Sequence, residues 1–318
     1  MIDRRAFLEE YMRLRRCEHI SDCVDLLNIY SEFLFRVVDN HRQDTPTNKV
    51  DADAKVVLQM VLTKILYIKN MVEHGVSYSS PYGSELDSII DPTIVASLTR
   101  NLYETVAMFN VIYRNTKSQD EKTILYCLWV HAGLKYRQRF ESLVTTKENT
   151  QKIEHERKQL DALVAEIEST SLFKSLNDKN QKKIRARLED KEYLLQFKDS
   201  EVVFLHWQSV TKVIGDGNGI LDAMYTYLSL YAHPSNVSVF QFRGMFRDDR
   251  AFLKLTTFKL QYVFYLTSVF IADYINLFPS VLRTFESLSL KDQIILNSYN
   301  VFLRGDSFAI NDAKEMLR

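Results

Sequence analysis

Turn formers are scarce in this chain, with 8 glycines and 5 prolines in 318 residues, well under average usage for either. A fold of many short elements needs such residues at most of its connections, because a positive or a fixed φ is what closes a tight turn. Their scarcity leaves long regular elements with few connections, and helices meet that condition best. Apolar residues at three- and four-residue spacing run through most of the sequence, as in Phe7, Leu8, Tyr11, Leu14 and then Val24, Leu27, Tyr30, Leu34, Val37. The expected fold class is therefore all-α, a multi-helix bundle with no central sheet.

The same patterns divide the chain. Residues 1–140 read as the N-terminal part of a helical bundle, 141–199 as a charged helical hairpin and 200–318 as the C-terminal part of the same bundle. A break near His19 to Asp22 separates two helices. The stretch Val76 to Asp91 is the longest polar, turn-rich segment, and Asp91-Pro92 reads as an N-cap followed by proline at the first helical position, opening a helix to about Arg114. In the charged segment Ile153, Leu160, Leu163 or Val164, and Ile167 keep a heptad-like spacing, and a turn at Asn177 to Asn180 should fold a second helix, about Gln181 to Phe197, back along the first. Such a coiled-coil-like hairpin projects as an arm or lies on the body as two surface helices. Val202 to Val213 reads as an apolar helix, Gly215 to Gly219 as a turn, and Val237 to Phe246 as a short extended piece because of its hint of alternation. Helices follow at Ala251 to Phe278 and Leu290 to Leu303.

Lysine plus arginine equals aspartate plus glutamate at 41 each, so no global field draws the chain to nucleic acid or anionic lipid. Three cysteines make no disulfide framework and suit a reducing compartment. The first ten residues alternate in charge where a signal peptide needs an apolar stretch. The expectation is a cytoplasmic protein. The apolar run Tyr262 to Ala272 is too short to span a bilayer and reads as a buried core helix, so no membrane association is expected.

No recognised catalytic or cofactor signature stands out. Gly215, Gly217 and Gly219 follow a helix-like pattern where a phosphate loop needs a strand, and Tyr227 occupies the position where a calcium loop needs its acidic residue. Cys17, His19 and Cys23 lack a second ligand pair. Neither a metal nor a cofactor is expected. Arg13 with His19, and Arg36 with His41, match the arginine-histidine spacing of all-helical bacterial ribonuclease toxins, but chance predicts about as many matches and both lie early in the chain. Lys174, Lys179, Lys182, Lys183, Arg185, Arg187 and Lys191 outnumber the acidic residues around them. Of these Lys179, Lys182, Lys183, Arg185 and Arg187 form a candidate nucleic-acid patch, against the more common reading as a solvated helix face, since no aromatic side chain is interleaved to stack on bases.

One stretch carries a denser signal. In Tyr225-Thr-Tyr-Leu-Ser-Leu-Tyr-Ala-His-Pro-Ser235, residues Tyr225, Ser229 and His233 are four apart and share one helical face, and Pro234 stops the helix. A polar row on an otherwise apolar helix needs a complementary row. Arg100 and Glu104, at i and i+4 on the helix expected from Pro92, supply one. The pairing of this arginine-glutamate helix with Tyr-x-x-Leu-Ser-x-Tyr-x-His-Pro-Ser more than a hundred residues later resembles a widespread bacterial helical family catalogued as domain of unknown function 5677. The resemblance spans roughly Thr93 to Ser235, with the charged hairpin as an insertion, and implies an all-helical cytosolic protein of a prokaryote or phage without an established activity.

Two functions follow as expectations. The first is a non-catalytic helical module for protein binding or assembly, engaging a protein partner or a second copy of itself, with the polar cluster holding helix register. The second is a metal-independent nuclease or toxin-like effector of prokaryotic antiviral defence, with His233 as acid-base group, Arg100 stabilising an oxyanion or phosphate, and Tyr225, Glu104 and Ser229 orienting them.

Overall fold

A computed structural model describes residues 4–246 and 251–310; the first three residues of the charged N-terminal stretch and the last eight of the chain lie outside the described set. In chain order the elements are α1 (Arg4–Arg16), α2 (Ile20–Asn40), α3 (Lys49–His74), the strands β1 (Val76–Ser79) and β2 (Glu85–Ile89), α4 (Pro92–Phe109), α5 (Gln119–Arg137), α6 (Lys147–Ser169), α7 (Ser171–Ser175), α8 (Asp178–Asp190), the strands β3 (Leu195–Lys198) and β4 (Glu201–Phe204), α9 (Val210–Ile214), α10 (Met224–Ala232), α11 (Asn236–Met245), α12 (Ala251–Leu277), α13 (Leu282–Glu286) and α14 (Leu290–Arg304). The fold is all-α. Among the described residues β-structure is confined to two antiparallel two-stranded hairpins.

Small polar residues punctuate the helices where glycine and proline are lacking. Asn48, Ser118, Thr146, Thr170, Asn177, Ser235 and Ser289 each accept a hydrogen bond from a backbone N–H in the first turn of the helix they precede, satisfying donors that have no intrahelical partner. Asp91 does the same for Thr93 at 2.7 Å ahead of Pro92. Glycine is obligatory at position 75. Gly75 ends α3 at φ 64°, and a Cβ there would lie 2.7 Å from the backbone carbon of Ser88.

The chain forms two compact units, residues 1–109 with 208–318, and residues 110–207. In the first unit α12 is the central element. Every residue from Val263 to Ile275 is buried, as expected of a helix that is apolar on all sides and covered on all sides. It packs against α2, α4 and α14, while α4 also carries α3 and α10. Phe109 meets Phe270 at 4.9 Å and Phe33 meets Phe285 at 5.9 Å. Polar groups on α12 find partners across these contacts. Tyr30 and Ser268 share a hydrogen bond of 2.7 Å, and Arg304 on α14 donates to Asp273 at 2.8 Å with both side chains almost fully buried.

The second unit departs from the expected hairpin over 141–199. It begins at Asn110 and includes α5, against which α6 and α8 both pack. The apolar face of α5, with Ile124, Leu125 and Leu128 buried, supplies the core that the charged helices lack. α8 ends at Asp190, and Leu195 to Lys198 form a strand rather than the continuation of a helix to Phe197, because Lys191 turns the chain through a left-handed conformation. The buried Glu156 of α6 is held by Arg137, whose Nε donates at 3.0 Å, and by Gln138 at 3.2 Å. Buried Asn180 binds β4, accepting from the Val202 N–H at 3.1 Å and donating to the Ser200 carbonyl at 3.2 Å.

The turn-rich stretch Val76 to Asp91 folds as a hairpin that pairs Ser79 with Glu85 and Tyr78 with Leu86. Two further expectations are corrected. Val202 to Val213 is split between β4 and the five-residue α9. Val237 to Phe246 is helical rather than extended, because Ser235 caps it and its apolar residues recur at 239, 242 and 246, a helical spacing.

Buried Lys259 on α12 is a group that sequence patterns did not single out. It is fully buried, its Nζ lies 3.8 Å from the centroid of the Tyr231 ring, and it has no hydrogen-bond partner among the described residues. Burial pulls its pKa from 10.5 down to about 7, with the charge of Asp91 opposing the shift. A folded-state value below the unfolded one means that the unfolded chain binds more protons between those two pH values, so stability rises with pH across that window. Lys259→Met should raise the melting temperature at pH 7 by removing a desolvated amine, a gain on the order of 1–4 kcal/mol, and the gain should shrink as pH approaches 10. Thermal denaturation of both proteins at pH 7 and pH 10 checks this; a substitution that destabilises equally at both contradicts it.

Candidate functional site

The polar rows of α4 and α10 meet in the first unit. α4 turns Val95, Ala96, Leu102 and Phe109 into the core and leaves Arg100 and Glu104 at its margin. α10 buries Met224, Leu228 and Tyr231, so Tyr225 and Ser229 fall on the flank beside α4. Arg100 is the hub. Its Nε donates to Glu104 at 3.1 Å, Nη2 to the Tyr225 hydroxyl at 2.6 Å, and Nη1 lies 2.8 Å from Nε2 of His233. The guanidinium carbon sits 4.5 Å from the centroid of the Tyr225 ring, so the arginine gains from the ring face as well as from the hydroxyl. Tyr103 packs on Tyr225 at 5.8 Å, and burial, aided by the neighbouring Tyr225 and Glu104, pushes its phenol pKa up.

Two members of the expected row take other roles. α10 ends at Ala232, and His233 is extended at φ −108°, ψ 149°, the region into which a following proline drives the residue before it. His233 therefore reaches Arg100 from beyond the helix end, and it is exposed rather than buried. Ser229 donates to the Tyr225 carbonyl at 2.6 Å, a bond within its own helix, and does not join Arg100.

The proton inventory limits the chemistry. Arginine only donates, so Nε2 of His233 accepts and the imidazole carries its proton on Nδ1. The lone pair that a general base needs is thus already engaged by Arg100.

The candidate nucleic-acid patch of the second unit is dispersed. Lys183 donates to the Val202 carbonyl at 2.6 Å and lies 3.3 Å from Glu201, Lys179 lies 3.8 Å from the same carboxylate, and Arg185 pairs with Glu168 at 2.9 Å. These lysines hold the Glu201 carboxyl below its usual range. Arg187 is buried, donating to the carbonyls of Leu194 and Leu205 with its guanidinium over the Phe204 ring. Lys182 stays exposed. Lys183 and Arg187 thus hold α8 to β4 and the chain around it, while Lys179, Lys182 and Arg185 remain exposed.

A second polar constellation lies in the first unit at a cleft of about 390 Å³ walled by residues including His41, Asp44, Lys55, Tyr274 and Ser280. His41 Nδ1 meets Asp44 at 2.7 Å and Nε2 meets the Thr284 hydroxyl at 3.0 Å, while Asn40 donates to that hydroxyl at 3.1 Å. The order acid, imidazole, hydroxyl has the form of a nucleophile relay. Thr284 is buried and not among the cleft walls, so the relay fastens α13 to the end of α2. Among the described residues no three histidine, cysteine or acidic side chains are grouped to hold a metal ion.

Compared with protein-family models, curated proteins and solved structures, the chain matches none.

A double-mutant cycle on Arg100→Ala and Tyr225→Phe should return a coupling of about 0.5–1.5 kcal/mol in chemical denaturation, the scale of a hydrogen bond between side chains. His233→Ala should cost less than about 1 kcal/mol, since an exposed imidazole loses little solvation on folding. Additive effects for the first pair would contradict the assignment of Arg100 as hub.

Proposed function

We propose that the chain is a non-catalytic, all-helical module that binds a protein partner, and that α11 with its surroundings is the binding face. The observation that carries this reading is the exposure of an apolar helix. α11 buries two of its ten residues, Ser238 and Met245, yet Val237, Val239 and Phe240 on it are exposed, Phe240 by 58%, and Phe246 directly after it by 56%. Leu230, Leu253 and Phe258 on the flanking helices are exposed as well. A helix apolar on most sides is normally covered, and grouped large apolar side chains on a surface mark an interaction site. The polar cluster fits the same reading, because Glu104, Tyr225 and His233 hold three of the N–H groups of Arg100.

A metal-independent nuclease is the second reading, favoured by the exposure of His233 next to a guanidinium and a phenol. Its acid-base step requires Arg100 to release Nε2.

The test immobilises the full chain, captures proteins from an extract of its own source, and titrates each purified candidate against wild type and Phe240→Asp. The module reading expects a partner whose affinity falls at least tenfold, the effect of losing an aromatic anchor. RNA cleavage by wild type that disappears in a folded His233→Ala, with binding indifferent to Phe240, would replace it with the nuclease.

A further inference from the structure

We propose that Lys259 is a proton-operated latch beneath α10, which lies closed over the neutral amine and lifts when the amine takes up a proton.

The latch begins with a group whose charge has no place in the closed fold. An ammonium carries three N–H donors, and water satisfies all of them. Lys259 is wholly buried with no hydrogen-bond partner among the described residues, and the hydroxyl of Thr256, one turn earlier on α12, is buried and unpartnered as well. What faces the Nζ is aromatic carbon from α10, with the centroid of the Tyr231 ring at 3.8 Å and that of Tyr227 at 5.6 Å. A cation against ring faces recovers only part of its lost hydration.

The titratable and charged groups around the amine do not supply the rest. From the start of α4 comes Asp91, whose charge acts on Lys259 but whose carboxylate accepts from the Thr93 N–H at 2.7 Å and makes no ion pair with the amine. From α10 come the phenols of Tyr227 and Tyr231, and from α12 itself that of Tyr262. Burial pushes Tyr227 and Tyr262 up, so neither offers an anion, and the Tyr231 hydroxyl donates to Gln241 of α11 at 2.6 Å. Arg100, Glu104 and His233 gather around Tyr225, which points away from Tyr227 and Tyr231 on α10. Burial therefore prevails and brings the amine down to about 7.

Of the two helices that enclose the amine, α10 is the one that yields. It has nine residues, of which Met224, Leu228 and Tyr231 are buried, whereas α12 is covered without a break from Val263 to Ile275. Local openings of lowest cost involve short elements with few buried side chains. Once α10 lifts, the amine is hydrated and regains the proton affinity of a lysine in water. The closed form thus has the lower pKa, so closure is strongest at high pH and weakens about tenfold per pH unit as pH falls toward 7. Lifting breaks the Tyr231 to Gln241 bond that ties α10 to α11, and it takes Tyr225 and His233 from Arg100. One proton then alters both the setting of α11 and the donors free on Arg100.

The experiment is hydrogen exchange of the full chain with millisecond labelling at pH 7, 8 and 9, read by mass spectrometry and divided by the intrinsic rate at each pH, for wild type, Lys259→Met and His233→Ala. The expected result is protection of residues 224–232 that rises about tenfold per pH unit in wild type and in His233→Ala, and that is high and flat in Lys259→Met. At each pH it should stay below the protection of residues 263–275, since α10 opens without the rest. A flat wild type, a slope that survives in Lys259→Met, or a slope lost in His233→Ala overturns the latch, as does equal protection of α10 and α12, which would make the opening global. If Lys259→Met does not fold, the wild-type spectrum labelled at lysine 13Cε decides. One lysine that titrates at least two pH units ahead of the others is expected, and lysines that all titrate together overturn the proposal.

Discussion

Burial of α12 is the constraint on which the first unit depends. Thirteen consecutive residues, Val263 to Ile275, are covered, and a helix covered on every side must satisfy each polar group it carries from its neighbours. Asp273 is the most demanding of these. An ionised carboxylate at this depth is costly unless a cation is held against it, and Arg304 supplies that cation at 2.8 Å. The pair fixes α14 in register against α12, because a shift of one residue along either helix would leave a buried charge alone. The guanidinium is itself positioned by further contacts, with its carbon over the Phe308 ring at 4.1 Å and Asn300 accepting from it at 3.4 Å. Gly215 passes close by with a left-handed φ of 100°, where a Cβ would come within 3.4 Å of the guanidinium. The glycine-rich segment thus serves close packing over a buried ion pair.

The candidate site inherits its geometry from the same packing. α4 lies against α12 with its apolar face, and α10 lies against α4. Arg100 then has little freedom, since the Tyr225 ring lies against it and Glu104, Tyr225 and His233 hold its nitrogens. A cluster so placed joins α4 to the end of α10 and sets where Pro234 sends the chain. The helix launched there is α11. The polar cluster and the apolar face are in this sense one device, a fixed exit from α10 that holds an apolar helix away from the core.

Much of this was legible in the sequence, and the misreadings share a cause. Helix positions followed from apolar spacing, and the Arg100 to Tyr225 and His233 contacts from the rule that a polar row needs a complement. The fate of Ser229 was not legible, because a serine at that spacing bonds its own helix as readily as a neighbour. Nor was the turn of His233 out of the helix, although Pro234 signals it. On α8 the charge count does not tell the cations that bind their own unit, Lys183 and Arg187, from those that stay exposed, because Val202, Leu194 and Leu205, whose carbonyls they reach, come from residues beyond the stripe. Short hairpins escaped because strands of four or five residues give too little alternation to compete with helical patterns. Lys259 was hidden for a related reason. A lone lysine in an apolar helix is read as a snorkelling surface residue, and its burial under Tyr227 and Tyr231 depends on where α10 lands.

The central claim is that the fold covers α12 from Val263 to Ile275 and leaves the apolar side chains of α11 open. Native-state hydrogen exchange of the purified chain, followed by mass spectrometry in dilute solution, addresses both halves at once. The account predicts that peptides from Val263 to Ile275 exchange slowest, while peptides across Asn236 to Met245 exchange fast. High protection of α11, or rapid exchange along α12, would contradict it.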